Sequence, residues 1–467
     1  MVSGKPARKV IHFTPSQTIM LGFATMIFIG AILLNLPISS NSGESIGFLD
    51  ALFTATSANC VTGLIVVNTM EHWTIFGKIV ILLLIQFGGL GFMVVMTLAL
   101  LLMKREISLR NRKIIQASFN QDSIGGMVRL VRNVLLFTLA IEGIGVVFLA
   151  ASFFADGSMS LSESIYQSIF HSVSAFCNAG FDNIGTESMT PFQNNIPINF
   201  ILMTLIVLGG IGFPVLAELY EALKNRQKKS LRYRLIHMSL QTKIAVAVTI
   251  SLVLVGTTLF LLLEWFNAKT LGSLSTPQKI QAALFQSVTL RTAGFNTISQ
   301  DGLTEASQAV SCIFMVIGGS SASTAGGMKT VTVGVIAFSV LSVLKGRNKL
   351  EAFGRSLPLD LLQKALAVVC TMLFVVFAAI LLLCFTEHGN AYPHTFLDLL
   401  FEISSAAGTV GVSTGITPHL SPAGKIIVII CMYLGRLSPV TVVIALNSRL
   451  HKHTDNIGYP HERVIIG

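Results

Sequence analysis

Four stretches of this 467-residue chain combine small and hydroxyl-bearing residues with a closing glycine, inside segments that are otherwise apolar. They are Phe53-Thr-Ala-Thr-Ser-Ala-Asn-Cys-Val-Thr-Gly63, Phe170-His-Ser-Val-Ser-Ala-Phe-Cys-Asn-Ala-Gly180, Phe285-Gln-Ser-Val-Thr-Leu-Arg-Thr-Ala-Gly294 and Phe401-Glu-Ile-Ser-Ser-Ala-Ala-Gly-Thr-Val-Gly411, the third one residue shorter. Each reads as a short helix dropping into a loop. The chemistry open to such residues belongs to the backbone. Glycine permits positive φ, which aims carbonyls toward an axis. Four copies around one axis make a ring of carbonyls, the arrangement that replaces the hydration shell of K⁺. The candidate filter positions are therefore Asn59, Cys60, Val61, Thr62 and Gly63; Cys177, Asn178, Ala179 and Gly180; Thr292, Ala293 and Gly294; and Gly408, Thr409, Val410 and Gly411. The closing glycines lie 117, 114 and 117 residues apart, which makes the stretches repeats.

A second candidate group lies in an apolar run at 309–344. It is Gly318-Gly319-Ser320-Ser321-Ala322-Ser323-Thr324-Ala325-Gly326-Gly327-Met328-Lys329. All but Met328 are small or polar, so the run is expected to break a span and lie across the pore. Its end, Gly-Gly-Met-Lys-Thr, lacks the Gly-Lys-Thr order of a phosphate loop. Arg436 falls inside another apolar run, where an arginine costs roughly 2.5–3.5 kcal/mol and marks a functional site by default. Both features sit at similar distances past their loop glycines, so the expectation is one constriction, with loop carbonyls satisfying the guanidinium. Arg291 is expected to brace the third loop by pairing with pore-helix acids. Gly88-Gly89 and Gly209-Gly210 read as positions where spans pack closely. No His-Glu-x-x-His or Gly-x-Ser-x-Gly motif supports an enzyme.

The elements that position these residues follow from composition. The chain is 52% hydrophobic and 12% charged, whereas soluble domains carry about 25% charged residues. About 20 apolar residues cross a bilayer, and spans are expected at 19–36, 75–103, 131–154, 198–223, 244–266, 309–344, 365–385 and 426–446. Pore helices are expected at 48–57, at 162–175, after Pro277 and at 396–406. The fold expected is an all-α integral membrane protein: four span–pore-helix–span repeats, at 1–115, 116–235, 236–355 and 356–467, around one central pore with pseudo-fourfold symmetry. The six cysteines have no framework spacing and read as small buried hydrophobes. The apolar run after the basic N-terminus lacks a small-residue cleavage site, so no removable signal peptide is expected. The net charge of +10 comes from basic residues beside spans, which argues for topology rather than nucleic acid. With 25 of the 32 Lys and Arg residues in the termini and inter-repeat connectors, those segments belong on the cytoplasmic side. The loops then face an acidic outer mouth.

Together these residues resemble the Ktr/Trk/HKT superfamily of potassium-translocating subunits, over essentially the whole chain. The first span begins near residue 18 without the extra N-terminal helix pair of Trk-type subunits, which is similar to the Ktr branch. The stretch from Gly318 to Thr330 is similar to the family's intramembrane gating loop. Gly435-Arg436-Leu437 resembles the last-repeat span whose arginine closes against it, although Ser438 stands where the family usually has glycine. The resemblance implies channel-like K⁺ uptake at the plasma membrane and a homodimer with one pore per subunit. The dimer would dock on a cytosolic KtrA-like nucleotide-binding ring. ATP or ADP would bind that ring alone, with no covalently bound cofactor here. Glycine in all four loops goes with K⁺ selectivity in the family. A Na⁺- or H⁺-coupled K⁺ symporter of the same architecture is the alternative.

Overall fold

Most helices here begin on a side chain that can accept a backbone N–H, a requirement that sharpens where no water is available. Thr14 opens α1 (Pro15–Leu34) with a capping box closed by Gln17. After α2 (Phe48–Asn59), Thr74 caps α3 (Ile75–Leu90). α4 (Met127–Asp156) follows, then Ser160 caps α5 (Leu161–Cys177) and Asn195 caps α6 (Ile196–Gly210), which leads into α7 (Phe213–Lys224). Ser239 starts α8 (Leu240–Glu264), Ser275 starts α9 (Thr276–Thr289), and Thr304 starts α10 (Glu305–Val316), with α11 (Thr330–Leu344) beyond it. The last group is α12 (Leu359–Thr386), α13 (Phe396–Gly408) and α14 (Pro422–Leu437). A two-stranded ribbon, Glu351–Ala352 with Arg355–Ser356, precedes α12.

This computed structural model describes residues 14–91, 127–185, 187–224, 236–347 and 349–437, together with positions 94, 97, 114, 116 and 233. The basic connectors expected at 104–132 and 224–234, the termini, Ser438 and the ends of the spans expected to reach 103 and 446 fall outside the described residues, apart from positions 114 and 116, the start of α4, Lys224 and Tyr233.

α1, α4, α8 and α12 are each long and apolar enough to cross a membrane. Phe28, Leu139, Leu262 and Phe374 point outward from them, giving an apolar exterior. The short helices α2, α5, α9 and α13 are packed inside, where Phe53, Phe176, Phe285 and Phe401 are fully or nearly fully buried. Buried carboxylates tie spans together on the side where α8 and α12 end. Glu264 accepts from the Thr304 N–H and hydroxyl at the start of α10, and Glu387 accepts from the Ser421 N–H and hydroxyl before α14. Lys425 and Asp50 form an ion pair at 2.7 Å between the last and first groups.

Two expected spans are not continuous. α3 stops at Leu90, where Gly91 adopts φ +85°. The span expected at 198–223 is broken between α6 and α7, whose axes differ by 106°. The reason lies in residues 318–329. Ser320 N–H donates to Gly210 O at 2.8 Å and Phe213 N–H donates to Ala322 O at 2.9 Å. The inserted loop thus satisfies groups that the helix break frees. Gly212 turns the chain at φ +99°, and a methyl group there would lie 2.6 Å from Ser321 O.

Gly212→Ala is therefore expected to combine left-handed strain with that clash, at about 1–3 kcal/mol. A lower thermal midpoint in detergent checks this, and a wild-type midpoint contradicts it.

Candidate functional site

Each inner helix ends by handing its chain to a loop of the same construction. Thr62, Ala179 and Val410 N–H donate to Ser57, Ser174 and Ser405 O at 2.8 Å, and Ala293 N–H donates to Thr289 O at 2.9 Å in the shorter loop. The chain then turns left-handed twice. The first turn is at Val61 (φ 58°), Asn178 (φ 59°), Thr292 (φ 66°) and Thr409 (φ 53°). The second is at Gly63 (φ 97°), Gly180 (φ 69°), Gly294 (φ 82°) and Gly411 (φ 94°). Positive φ is costly for a β-branched residue, so the surrounding packing must hold Val61, Thr292 and Thr409 in place.

The loops meet. A methyl group on Gly63 would lie 2.6 Å from Ala179 O, and one on Gly180 would lie 2.7 Å from Gly294 Cα. One on Gly294 would lie 2.7 Å from Val410 O, and one on Gly411 would lie 2.9 Å from Gly63 Cα. First touches second, second touches third, third touches fourth, and fourth returns to first. The loops form a closed ring of backbone with no space for side chains at the glycines. The Thr62, Thr292 and Thr409 hydroxyls and the Asn59 amide are buried there without a protein partner. Buried polar atoms normally have one, so their donor set fits a hydrated or cationic occupant. Asn59, Cys177 and Gly408 are the final residues of their helices.

Hydroxyls anchor all four loops at one register that the sequence reading did not single out. Ser57 and Ser405 Oγ accept from Gly63 and Gly411 N–H at 3.1 and 3.0 Å. Ser174 Oγ and Thr289 Oγ1 donate to Phe181 and Phe295 O, both at 2.7 Å. Each lies four residues after the phenylalanine that opens its stretch, and that equal offset was the available signal.

Residues 318–329 lie against the second and fourth loops. The break between α10 and α11 is closed by an Ile317–Met328 bridge, with Gly318 N–H on Met328 O at 2.9 Å. Thr324 Oγ1 donates to Phe176 O at 3.0 Å and lies 3.1 Å from Asn178 Oδ1. A methyl group on Gly327 would lie 3.1 Å from Gly408 O, and one on Gly326 would strike the Thr409 side chain. Arg436 donates to Thr324 O, to Gly88 O, and to Gly89 O at 3.1 Å. The loop and Arg436 are thus brought together, and the guanidinium also holds the end of α3. Lys329 Nζ donates within its own loop, to Ala325 O at 2.8 Å. The glycine pairs do serve close packing: Gly88, Gly209 and Gly435 press on the backbone of Asn59, Phe176 and Ala407.

Arg291 is a correction. It pairs with no acid among the described residues. It lines a small cavity whose other residues, Ile206, Val207, Gly210, Val253 and Val288, carry no acid, and its carbonyl receives the Asn178 amide at 3.5 Å. Glu142, not singled out in sequence, is buried within α4. It receives Gln86 Nε2 at 3.3 Å and faces the Cys177 thiol at 3.8 Å. An acidic residue in the middle of an apolar run was its signal. Beyond the ring, burial pushes the Asp182 carboxyl up to about 6, against the hydrogen bonds it receives from Ser188 and the Ile184 N–H. All six cysteines are free, and no metal-ligating cluster occurs among the described residues.

A family profile for TrkH, described as a cation transport protein, matches residues 13–453. The chain belongs to the TrkH cation transport family. It is similar to the Ktr system potassium uptake protein B of Bacillus subtilis (strain 168), with 39% identity over 98% of each chain. It is also similar to the potassium/sodium uptake protein NtpJ of Enterococcus hirae, with 38% identity over 98% of each. The solved structure of the potassium transporter TrkH from Vibrio parahaemolyticus shares the fold. Its TM-score is 0.71 at 18% identity, over 95% of this chain and 86% of that one. As a member of the TrkH family, this chain is a multi-pass membrane cation transporter and not an enzyme.

The ring predicts that Gly63→Ser and Gly294→Ser, which put side chains into Ala179 O and Val410 O, weaken cation discrimination while the protein still assembles. The strain of about 1–3 kcal/mol corresponds to a loss of roughly tenfold or more in the ratio between two cations. Reversal potentials in lipid bilayers measure it, and an unchanged ratio in both variants refutes it.

Proposed function

We propose that this protein takes up K⁺ across the plasma membrane by channel-like conduction through the ring of four glycine loops. The observation that carries this is the closed contact circuit Gly63–Gly180–Gly294–Gly411. Carbonyls held so closely can take the place of an ion's water. The same register of hydroxyl anchors in all four loops supports four repeats with pseudo-fourfold symmetry about one pore. Relatives named for potassium uptake support the choice of ion, and glycine rather than a side chain in the first loop agrees with it. Basic connectors and termini support a cytoplasmic location for both chain ends, with the ring facing outward.

Residues 318–329 with Arg436 serve as the gate in this reading. A fixed guanidinium beneath a cation filter opposes permeation, and three carbonyls from two repeats hold it in place. A homodimer docked on a cytosolic nucleotide-binding ring would open it by moving α11. Taking the gate from 1:99 to 99:1 needs about 5.5 kcal/mol of differential binding. A second reading, Na⁺-coupled uptake, is favoured by the relative named for potassium and sodium. Uptake by transport-deficient cells tests K⁺ transport, and reversal potentials at varied Na⁺ and pH separate conduction from coupling.

Arg436→Ala, or deletion of part of residues 321–323, is expected to raise K⁺ flux without the partner and to leave cation discrimination intact, because the hydrogen bonds of Arg436 go to Thr324, Gly88 and Gly89 rather than to the four loops. Flux assays on purified variants in liposomes decide it. Unchanged partner-free flux in both moves the gate elsewhere.

A further inference from the structure

One position recurs in all four inner helices with a different side chain each time. It lies nine residues before the loop glycine in three copies and eight before it in the shorter third: Thr54, His171, Gln286 and Glu402. All four are buried, at 2% exposure for Thr54 and 0% for the others. Three of them reach past the ring to the segment that leaves it. His171 Nε2 accepts from Asn183 N–H at 3.4 Å, with Nδ1 on Gln167 O at 2.7 Å. Gln286 and Gln300 pair side chain to side chain, at 2.8 and 3.1 Å. Glu402 Oε2 accepts from the Ser413 hydroxyl at 2.8 Å, and Oε1 accepts from the Thr417 hydroxyl at 2.6 Å. Thr54 only turns back to Asp50 O at 2.9 Å.

The Glu402 bracket has the shortest bonds of the set. Ser413 lies two residues beyond Gly411 and also accepts from Gly415 N–H at 3.1 Å. Ser413 and Thr417 are themselves 3.0 Å apart, so one carboxyl group closes a small polar knot. No basic side chain lies within ion-pair distance of Glu402 among the described residues. Its hydrogen bonds to these two hydroxyls are what keep the carboxyl in place. Gly411 is held from the other side by Ser405 Oγ at 3.0 Å. The fourth loop is thus pinned on both sides of its glycine, and that glycine touches Gly63, where the ring closes.

We infer that Glu402 is a positioning residue for ion discrimination, holding the fourth loop open through Ser413 and Thr417. The inference rests on the conduction reading above. A ring free to tighten would solvate Na⁺ as readily as K⁺, so a brace behind one loop acts on the ratio of the ions more than on whether they pass.

The test is the K⁺/Na⁺ permeability ratio, from reversal potentials of the full-length protein in liposomes. Glu402→Ala is expected to lower the ratio about tenfold, the scale set by losing its two hydrogen bonds to the Ser413 and Thr417 hydroxyls. The Ser413→Ala/Thr417→Ala pair is expected to lose as much, and adding Glu402→Ala to that pair to cost nothing more, since all three act through one bracket. Glu402→Gln keeps the shape and is expected to recover most of the ratio. Thr54→Ala, at the same register without a brace, is expected to match wild type. If Glu402→Ala does not fold, the Ser413/Thr417 pair carries the same comparison. A wild-type ratio in folded Glu402→Ala, or K⁺ and Na⁺ fluxes falling in equal proportion, overturns the inference and leaves Glu402 a packing residue. A wild-type protein that passes no K⁺ overturns the conduction reading itself, and this inference with it.

Discussion

Backbone groups at membrane depth have no water to turn to, and that constraint organises this molecule. Every helix break frees N–H and C=O groups, and the breaks here are matched to one another. The α6–α7 break exposes Gly209 and Gly210 carbonyls, and Thr324 and Ser320 N–H occupy them. The α10–α11 break leaves the Ala322 carbonyl, and Phe213 N–H takes it. The end of α3 leaves Gly88 and Gly89 carbonyls, and Arg436 takes those together with Thr324 O. The α6–α7 and α10–α11 breaks are thus each other's solution, and Arg436 of α14 supplies that of α3. The Thr62, Thr292 and Thr409 hydroxyls are buried beside the loop glycines without a protein partner.

The same constraint explains where glycine is spent. Gly88, Gly209 and Gly435 let second spans rest on the ends of inner helices at Asn59, Phe176 and Ala407. A side chain at any of these points would push a span off the carbonyls that the ring depends on. The left-handed turns at Val61, Thr292 and Thr409 are tolerable for the same reason. Each is held by an N–H bond to its helix and a hydroxyl anchor, so strain that would relax in solution is trapped.

The four loops, the interrupted stretch at 318–329 and Arg436 were legible because polar or small residues stand out inside apolar runs. The spacing of the glycines is enough to mark the loops as repeats. The sharp bend at Gly212 was not legible, since a Gly-Gly pair is equally at home in a straight, tightly packed span. The first left-handed turn was hidden because valine, asparagine and threonine there announce nothing about φ. The expected acid partner of Arg291 failed because the residues lining the cavity beside it are apolar, which no count of residue types reveals. Ser57, Ser174, Thr289 and Ser405 were readable only by aligning the repeats with one another, as were Thr54, His171, Gln286 and Glu402.

The circuit of glycines closes between the first repeat and the last, and the bonds that secure this seam are distant in sequence. Lys425 reaches Asp50 across 375 residues, and Arg436 reaches Gly88 across 348. Contacts of such separation form late, because nearly the whole chain must be in place first. During synthesis, three repeats would already lie in the membrane with an open side and unsatisfied backbone facing the gap. The ring of loops can close only when α12–α14 lie against α1–α3. A partly made chain would hold three of the four loops and no closed ring.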